Sequence, residues 1–469
     1  MSPLDASFLH IEDSDRAVNM HIGSVAVLDG PPPPQADIVR TVADRLSLVP
    51  RYRQRVEHVP FNLGRPVWVD DPDFNIDYHL RRTALPAPGG SEELRRLVGR
   101  LMSQRLDRTK PLWEIWIVEG LADDRWAMVS KVHHCMVDGV SGAEILAVLM
   151  DLSPEVADVE GQPWEPATPP TRVELMADAV RDLMLDQYEQ LRLVGAQLRR
   201  PRRALAAARE LMPGFRSLGG MVRSVPAASL TGPIGAHRVV AWGETTLDDV
   251  KRIRSRLGGT VNDVVLAAIS GGFRTLLCHR GEDPTGRVVR TLVPVSVRAT
   301  RADGAAAHDG TFDNKVSAMF AELPVGVAEP VERLTTIQAQ LSGLKESRQA
   351  VAGEALTTLS GFAPPALLAL GTRVAARAVQ RTANLHTVTT NVPGPQLPLY
   401  SCGRLMRAIY PYVPTAAPLR VAIAIFSYNG TVTFGITGDR EVSADVDVLA
   451  AGIEAAVAEL VKVAEADPA

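Results

Sequence analysis

The sequence predicts an α/β protein of two domains joined through a helical segment. Three observations carry this expectation. The chain has 469 residues, more than a single hydrophobic core normally serves. Strand-like and helix-like patterns alternate over residues 1–151 and again over 236–469. Between them, "EGQPWEPATPP" (160–170) is proline-rich and reads as a linker into a long helical stretch, which sets 152–235 apart.

The elements follow in order. "SVAVLDG" (24–30) reads as a strand and "PQADIVRTVADRLSLV" (34–49) as a helix, with short strands near Trp68. "SEELRRLVGRLMSQRL" (91–106) is a predicted helix, with Ser91 as N-cap and Glu92 and Glu93 in its first turn. "LWEIWIVEGL" and "RWAMVSKVHH" are rich in β-branched and aromatic residues and read as strands. After Asp138-Gly139, "SGAEILAVLMDL" has the pattern of a helix. From Leu191 to Ser224 the connecting segment carries eight Arg and one Glu. That stretch is either a solvated helix face or a basic amphipathic surface suited to anionic lipid headgroups. Beyond it, "RVVAWGETTL" is a strand and "VNDVVLAAISGGFRTLL" a helix, and "RVVRTLVPVSV", "NLHTVTTNV", "LRVAIAIFSY" and "TVTFGITGD" are further strands. Asn429-Gly430 between the last two signals a type I′ hairpin, and Ser443 is placed to cap a final amphipathic helix.

Composition narrows the function. A net charge of −4, spread along the chain, argues against a chain-wide nucleic-acid footprint. The basic residues are 44 Arg and 6 Lys, a bias attributable to a GC-rich genome. Cys135, Cys278 and Cys402 are far apart with no C-x-x-C pair, so neither a disulfide framework nor a zinc site is expected, and a reducing cytoplasm is the default compartment. The N-terminus is acidic and shows no signal-peptide pattern, and no run of about 18 apolar residues is present, so attachment to a membrane would be peripheral.

The stretch with the most chemical content is "KVHHCMVDGVSG" (131–142). His133 and His134 end a predicted strand; Asp138 and Gly139 follow before a helix. The pair could be core histidines. As a metal site the loop supplies too few ligands, and no further His/Cys/Glu cluster accompanies it. As a general base, a histidine titrating near ~6.5 is available neutral at cell pH. Asp138 can lock the loop by pairing with an arginine, and Gly139 lets the backbone turn where a Cβ would clash. Cys135 between them reads as a small buried apolar residue. No G-x-S-x-G elbow is present to suggest a serine nucleophile.

HHxxxDG is the motif of the coenzyme A-dependent acyltransferase superfamily, which includes chloramphenicol acetyltransferase, plant BAHD enzymes and condensation domains. Together with "LDASFLHIEDSDRAVNMHIGSVAVLDG" (4–30), "PVWVDDPDFNIDYHLRR" (66–82), "RLDRTKPLWEIWIVEGL" (105–121), "GTVNDVVLAAISGGFRTLL" (259–277), "RTLVPVSVR" (290–298), "DNKVSAM" (313–319) and "TNVPGPQLPLY" (390–400), it makes nearly the whole chain resemble the bacterial wax ester synthase/diacylglycerol acyltransferase family.

The resemblance implies two chloramphenicol-acetyltransferase-like lobes, 1–151 and 236–469, each a mixed sheet with flanking helices, and an active-site channel between them. It implies His134 as the base, His133 in support, and Asp138 holding the loop through Arg298 or Arg290. Pro111-Leu112-Trp113 corresponds to a motif near the acceptor side, although strand-start packing with Trp113 in the core explains it equally well. Asn262 and Asp263 would shape the site floor from the start of a helix after Thr260. Asn391-Val392-Pro393-Gly394 would be a rigid turn lining the cleft. The implied reaction moves a long-chain acyl group from acyl-CoA, a cosubstrate and not a resident cofactor, to diacylglycerol or, alternatively, a long-chain alcohol. A non-catalytic lipid-surface protein of the same fold is the other alternative. The implied location is cytoplasmic, in peripheral contact with the inner membrane or lipid droplets, with no nucleic acid, metal or resident cofactor involved.

Overall fold

The computed structural model describes residues 1–136, 149–156, 163–198, 229–296, 316–346 and 385–466. Helix α1 (Pro3–Ser14) opens the chain, capped by the Ser2 hydroxyl, which accepts the Asp5 N–H at 3.1 Å. It is followed by β1 (His21–Asp29), α2 (Gln35–Arg45), β2 (Gln54–Glu57), β3 (Val67–Asp70), a single-turn α3 (Ile76–His79), β4 (Leu80–Ala84), α4 (Ser91–Met102), β5 (Trp113–Leu121) and β6 (Arg125–His133). Ser91 is not the cap of α4. The helix starts at Ser91 itself, and the Glu93 carboxylate reaches back to accept the Gly90 N–H at 2.9 Å.

Helix α5 (Arg172–Leu198) lies in the connecting segment. The second half supplies β7 (Arg238–Thr246), α6 (Leu247–Leu257), α7 (Val261–His279), β8 (Val289–Ser296), β9 (Val316–Leu323), α8 (Pro330–Glu346), β10 (Thr387–Pro393), β11 (Tyr400–Ser401), β12 (Arg404–Tyr412), β13 (Val421–Tyr428), β14 (Thr431–Asp439) and α9 (Val446–Ala466). Ser443 does not cap α9, which begins three residues later. The Ser443 N–H is instead taken up by the Asp439 carbonyl at 2.8 Å in the turn before the helix.

Two six-stranded mixed sheets form, in the orders β11-β12-β1-β6-β5-β4 and β7-β14-β13-β10-β8-β9. This is the expected α/β architecture, with one correction to the division of the chain. Strands β11 and β12, from the second half, extend the first sheet by antiparallel pairing of β12 with β1. The second sheet also grips β12 through side chains. The Thr433 hydroxyl donates to the Ile409 carbonyl at 2.7 Å, and the Tyr428 hydroxyl to the Met406 carbonyl at 3.0 Å. Without β12 one edge of β1 would be left unpaired, and a local pattern cannot show which strand covers it.

Alternation along β6 sorts its side chains. Trp126, Met128 and Val132 join Trp113, Ile115 and Ile117 in one core, which also takes Phe426 and Tyr428 from β13. Ala127 and Val129 face α4 and its Leu94, Leu97, Val98 and Leu101. Lys131 and His133 have the same parity as Ala127 and Val129. In the second half α7 is the central helix, buried against α8 and α9. Among the described residues it alone is long and apolar enough to cross a membrane, and 72% of that window is buried inside the protein, as expected of a core helix.

Lys131 is 1% exposed. Its ammonium donates to the carbonyls of Leu101, at 3.1 Å, and Gln104, while His21 and Asn19 donate to those of Met102 and Ser103 at 2.9 and 3.0 Å. These bonds satisfy the last carbonyls of α4 and the turn after it. Burial pushes the Lys131 ammonium down to about 8, against the opposing pull of Glu114. The unfolded chain therefore holds a proton between pH 8 and its ordinary value near 10.5 that the folded chain has released, so stability rises with pH across that window. A displacement of this size corresponds to roughly 3 kcal/mol. The stability difference between wild type and Lys131→Met, measured by urea unfolding from pH 7.5 to 10.5, should move in favour of wild type by that order. A flat difference rejects the buried cation.

Candidate active site

The pairing of β1, β6 and β5 places the two histidines. His21 on β1 lies opposite His133, and the His133 N–H donates to the Leu112 carbonyl at 2.9 Å. The chain then leaves the sheet in a single 3-10 turn, His134–Met136. His133 is buried, and its ring makes two bonds. Nδ1 accepts the Cys135 N–H at 3.1 Å, so the neutral ring carries its proton on Nε2 and donates to Glu12 Oε2 at 2.6 Å. Burial holds the His133 imidazole below the usual histidine range, although Glu12 opposes this. Burial alone would raise the Glu12 carboxyl. The His133 bond, Arg108 at 3.0 Å and Arg105 outweigh it, so the carboxylate is held below its ordinary range. The pair is thus a neutral imidazole donating to an ionised carboxylate.

His134 has a different setting. Its N–H donates to the Met20 carbonyl at 2.8 Å. The ring is half-buried and stacks on Phe8 of α1, with centroids 4.1 Å apart and planes 24° from parallel. Cys135 is buried beside Leu9, Val56, Leu106 and Leu112, and burial pushes its thiol well above the usual range, which disfavours a thiolate nucleophile. Asp138 and Gly139 lie outside the described residues, as do Arg298 and the arginine-rich stretch beyond Leu198. Arg290 binds Glu322 at 2.8 Å.

Pro111-Leu112-Trp113 runs into the start of β5 directly beside the histidines. Leu112 and Trp113 are fully buried. The Trp113 indole N–H donates to the Tyr52 carbonyl at 2.8 Å, and the ring stacks on His79 at 4.3 Å. The indole also walls a small apolar recess lined by α2, the residues after it, β5 and Leu149.

On the other sheet, Asn391 Nδ2 donates to Asn262 Oδ1 at 3.4 Å, which brings those two expected site residues together. Asp263 closes the start of α7: its carboxylate accepts the Thr260 N–H at 2.7 Å, and its N–H donates to the Thr260 hydroxyl at 3.2 Å. Pro393 is exposed at the end of β10. At Gly394 a Cβ would lie 2.3 Å from the Ser427 carbonyl oxygen, so only glycine fits between β10 and β13. Val392, between these residues, packs on the core cluster that holds Trp113.

Phe8 and Glu12 contact the histidine pair and are not among the residues expected from the sequence. They stand four apart on α1 and so share a face. The available signal was Ser2-Pro3, a cap followed by proline at the first helical position, ahead of apolar residues at helical spacing.

The fold is shared with condensation domains and with a bacterial acyltransferase. The first condensation domain of the calcium-dependent antibiotic synthetase superposes with a TM-score of 0.59 at 16% identity, over 100% of this chain and 96% of that one, a likeness of fold alone. The wax ester synthase/diacylglycerol acyltransferase from Marinobacter aquaeolei VT8 superposes with a TM-score of 0.68 at 26% identity, over 99% of each chain. Residues 1–265 match the wax ester synthase/diacylglycerol acyltransferase catalytic domain, and residues 312–461 match the C-terminal domain of the same family. A probable diacylglycerol O-acyltransferase of Mycobacterium tuberculosis is 38% identical over 472 residues, covering 99% of this chain and 96% of that protein. The chain belongs to the wax ester synthase/diacylglycerol acyltransferase family.

Proposed function

We propose that the protein transfers a long-chain acyl group from acyl-CoA to the free hydroxyl of diacylglycerol, making triacylglycerol, with His134 as general base. The observation that carries this reading is the His134 ring: half-buried, stacked on Phe8 and carried on a backbone-anchored turn, in a chain that matches the family along nearly its whole length. An alcohol has a pKa far above 7, so its proton must leave as the oxygen attacks. His134 takes that proton while the hydroxyl oxygen bonds to the thioester carbonyl carbon, and such catalysis is worth roughly 10²–10⁴-fold. Collapse of the tetrahedral species breaks the carbon–sulfur bond. The leaving thiolate, whose conjugate acid has a pKa near ~8.5, takes the proton back from the imidazolium. No acyl-enzyme is needed and no cofactor is consumed.

Apolar burial favours long chains. At ~0.8 kcal/mol per methylene, a sixteen-carbon chain gains roughly 12 kcal/mol before ordering costs. A channel between the lobes, closed to bulk water, would protect the thioester from hydrolysis and admit the two substrates from opposite sides. Long-chain alcohols, giving wax esters, are the alternative acceptors in this reading, and contact with a lipid surface would bring either acceptor to the channel.

Purified protein incubated with radiolabelled palmitoyl-CoA should convert dioleoylglycerol to labelled triacylglycerol, and hexadecanol in its place tests the wax ester alternative. Release of free palmitate alone, with neither ester formed, sinks the assignment.

A further inference from the structure

The His133 ring can serve the turn over His134–Met136 in one tautomer only. Its Nδ1 must be a bare acceptor for the Cys135 N–H, so the proton must sit on Nε2. A protonated ring would point an N–H at an N–H and break the turn. The group that selects the working tautomer is the Glu12 carboxylate, 2.6 Å from Nε2. That carboxylate is fixed in turn by Arg108, while Arg105 bonds the carbonyls of Glu12, Asp15 and Val18 at 2.9, 2.6 and 3.0 Å and ties down the end of α1. One turn earlier on the same helix face, Phe8 lies against the His134 ring.

We propose that α1 aims the base: Glu12, acting through His133, fixes the turn from which His134 projects, and Phe8 sets the plane of the His134 ring. Both are positioning residues, and the inference rests on the role proposed for His134. Misplacing a reacting group by about 1 Å costs on the order of 100-fold in rate. Loss of Glu12 should therefore lower kcat and leave substrate affinity alone.

The test uses the full-length protein and compares Glu12→Ala, Glu12→Asp and Glu12→Gln in kcat, KM for palmitoyl-CoA, and thermal unfolding. Glu12→Ala should lower kcat roughly 10- to 100-fold at a KM within about twofold of wild type. Glu12→Asp keeps a buried charge that the long, partly exposed Arg108 side chain can follow, but is one methylene too short to reach the strand-held Nε2, so it should lose kcat similarly. Glu12→Gln still offers Nε2–H an acceptor oxygen and should recover most of the rate. If Glu12→Ala fails to fold, Glu12→Asp and Glu12→Gln decide. A folded Glu12→Asp with wild-type kcat overturns the proposal, as does a Glu12→Gln no better than Glu12→Asp, or a loss that falls on KM. His134→Ala run in parallel separates the two claims. An active His134→Ala defeats the base assignment itself, whereas an inactive His134→Ala beside unaffected Glu12 variants defeats only the aiming role.

Discussion

His134→Ala should abolish measurable acyl transfer while the protein still folds. Among the described residues of the turn no other group is placed to accept the hydroxyl proton: Cys135 is buried with its thiol pushed up, and the His133 ring already spends both nitrogens on Glu12 and the Cys135 N–H. Removal of a positioned base costs roughly 10²–10⁴-fold. Folding should survive because the His134 ring stands outside the buried cores. The ring stacks on Phe8, and the backbone anchor to Met20 survives truncation to alanine. Circular dichroism and the unfolding midpoint should therefore stay close to wild type while turnover of palmitoyl-CoA with dioleoylglycerol disappears. Full turnover in a folded His134→Ala protein would mean that the imidazole is not the base.

The parts of this site legible in the sequence are those set by short-range patterns. The strands that deliver the histidines announce themselves by β-branched and aromatic residues, and the Asn429-Gly430 hairpin by its turn pair, whose φ values of 44° and 82° are those a type I′ turn requires. Thr260 and Asp263 likewise mark the start of α7 by a capping pattern. Two features were hidden. Helix α1 is short and carries Asp5, Glu12 and Asp13, so it looks like a solvated acidic terminus. Only the fold, by burying Glu12 against His133, Arg105 and Arg108, shows that the acid belongs inside. The transfer of β11 and β12 to the first sheet is hidden for another reason. Pairing Tyr412 with Gly23 joins residues nearly the whole chain apart, and nothing local to either strand encodes its partner.

Trp113→Ala should cost about 3–5 kcal/mol of stability, the range for truncating a large buried aromatic side chain. The indole is fully buried among Tyr52, His79 and the core of the first sheet, and burial pushes the His79 imidazole down to about 4, so the stacked ring is neutral. Truncation leaves a void beside the apolar recess and strips the Tyr52 carbonyl of its donor. Trp113→Phe separates these contributions. It keeps an aromatic ring but loses the indole N–H together with three ring atoms, so it should cost less than Trp113→Ala, about 1–3 kcal/mol, from one unsatisfied buried carbonyl and a smaller void. The same pair of variants decides between the two meanings of Pro111-Leu112-Trp113. If the motif is the packed start of β5, the urea midpoint falls in both variants, further in Trp113→Ala, and the folded Trp113→Phe enzyme keeps its acceptor KM within about twofold. If the indole touches the acceptor, that KM rises in Trp113→Phe by more than the stability loss explains, and it rises more for acceptors with longer chains. The complete burial of the ring and its bond to Tyr52 favour the first outcome, with the motif a packed strand start whose Leu112 carbonyl accepts the His133 N–H.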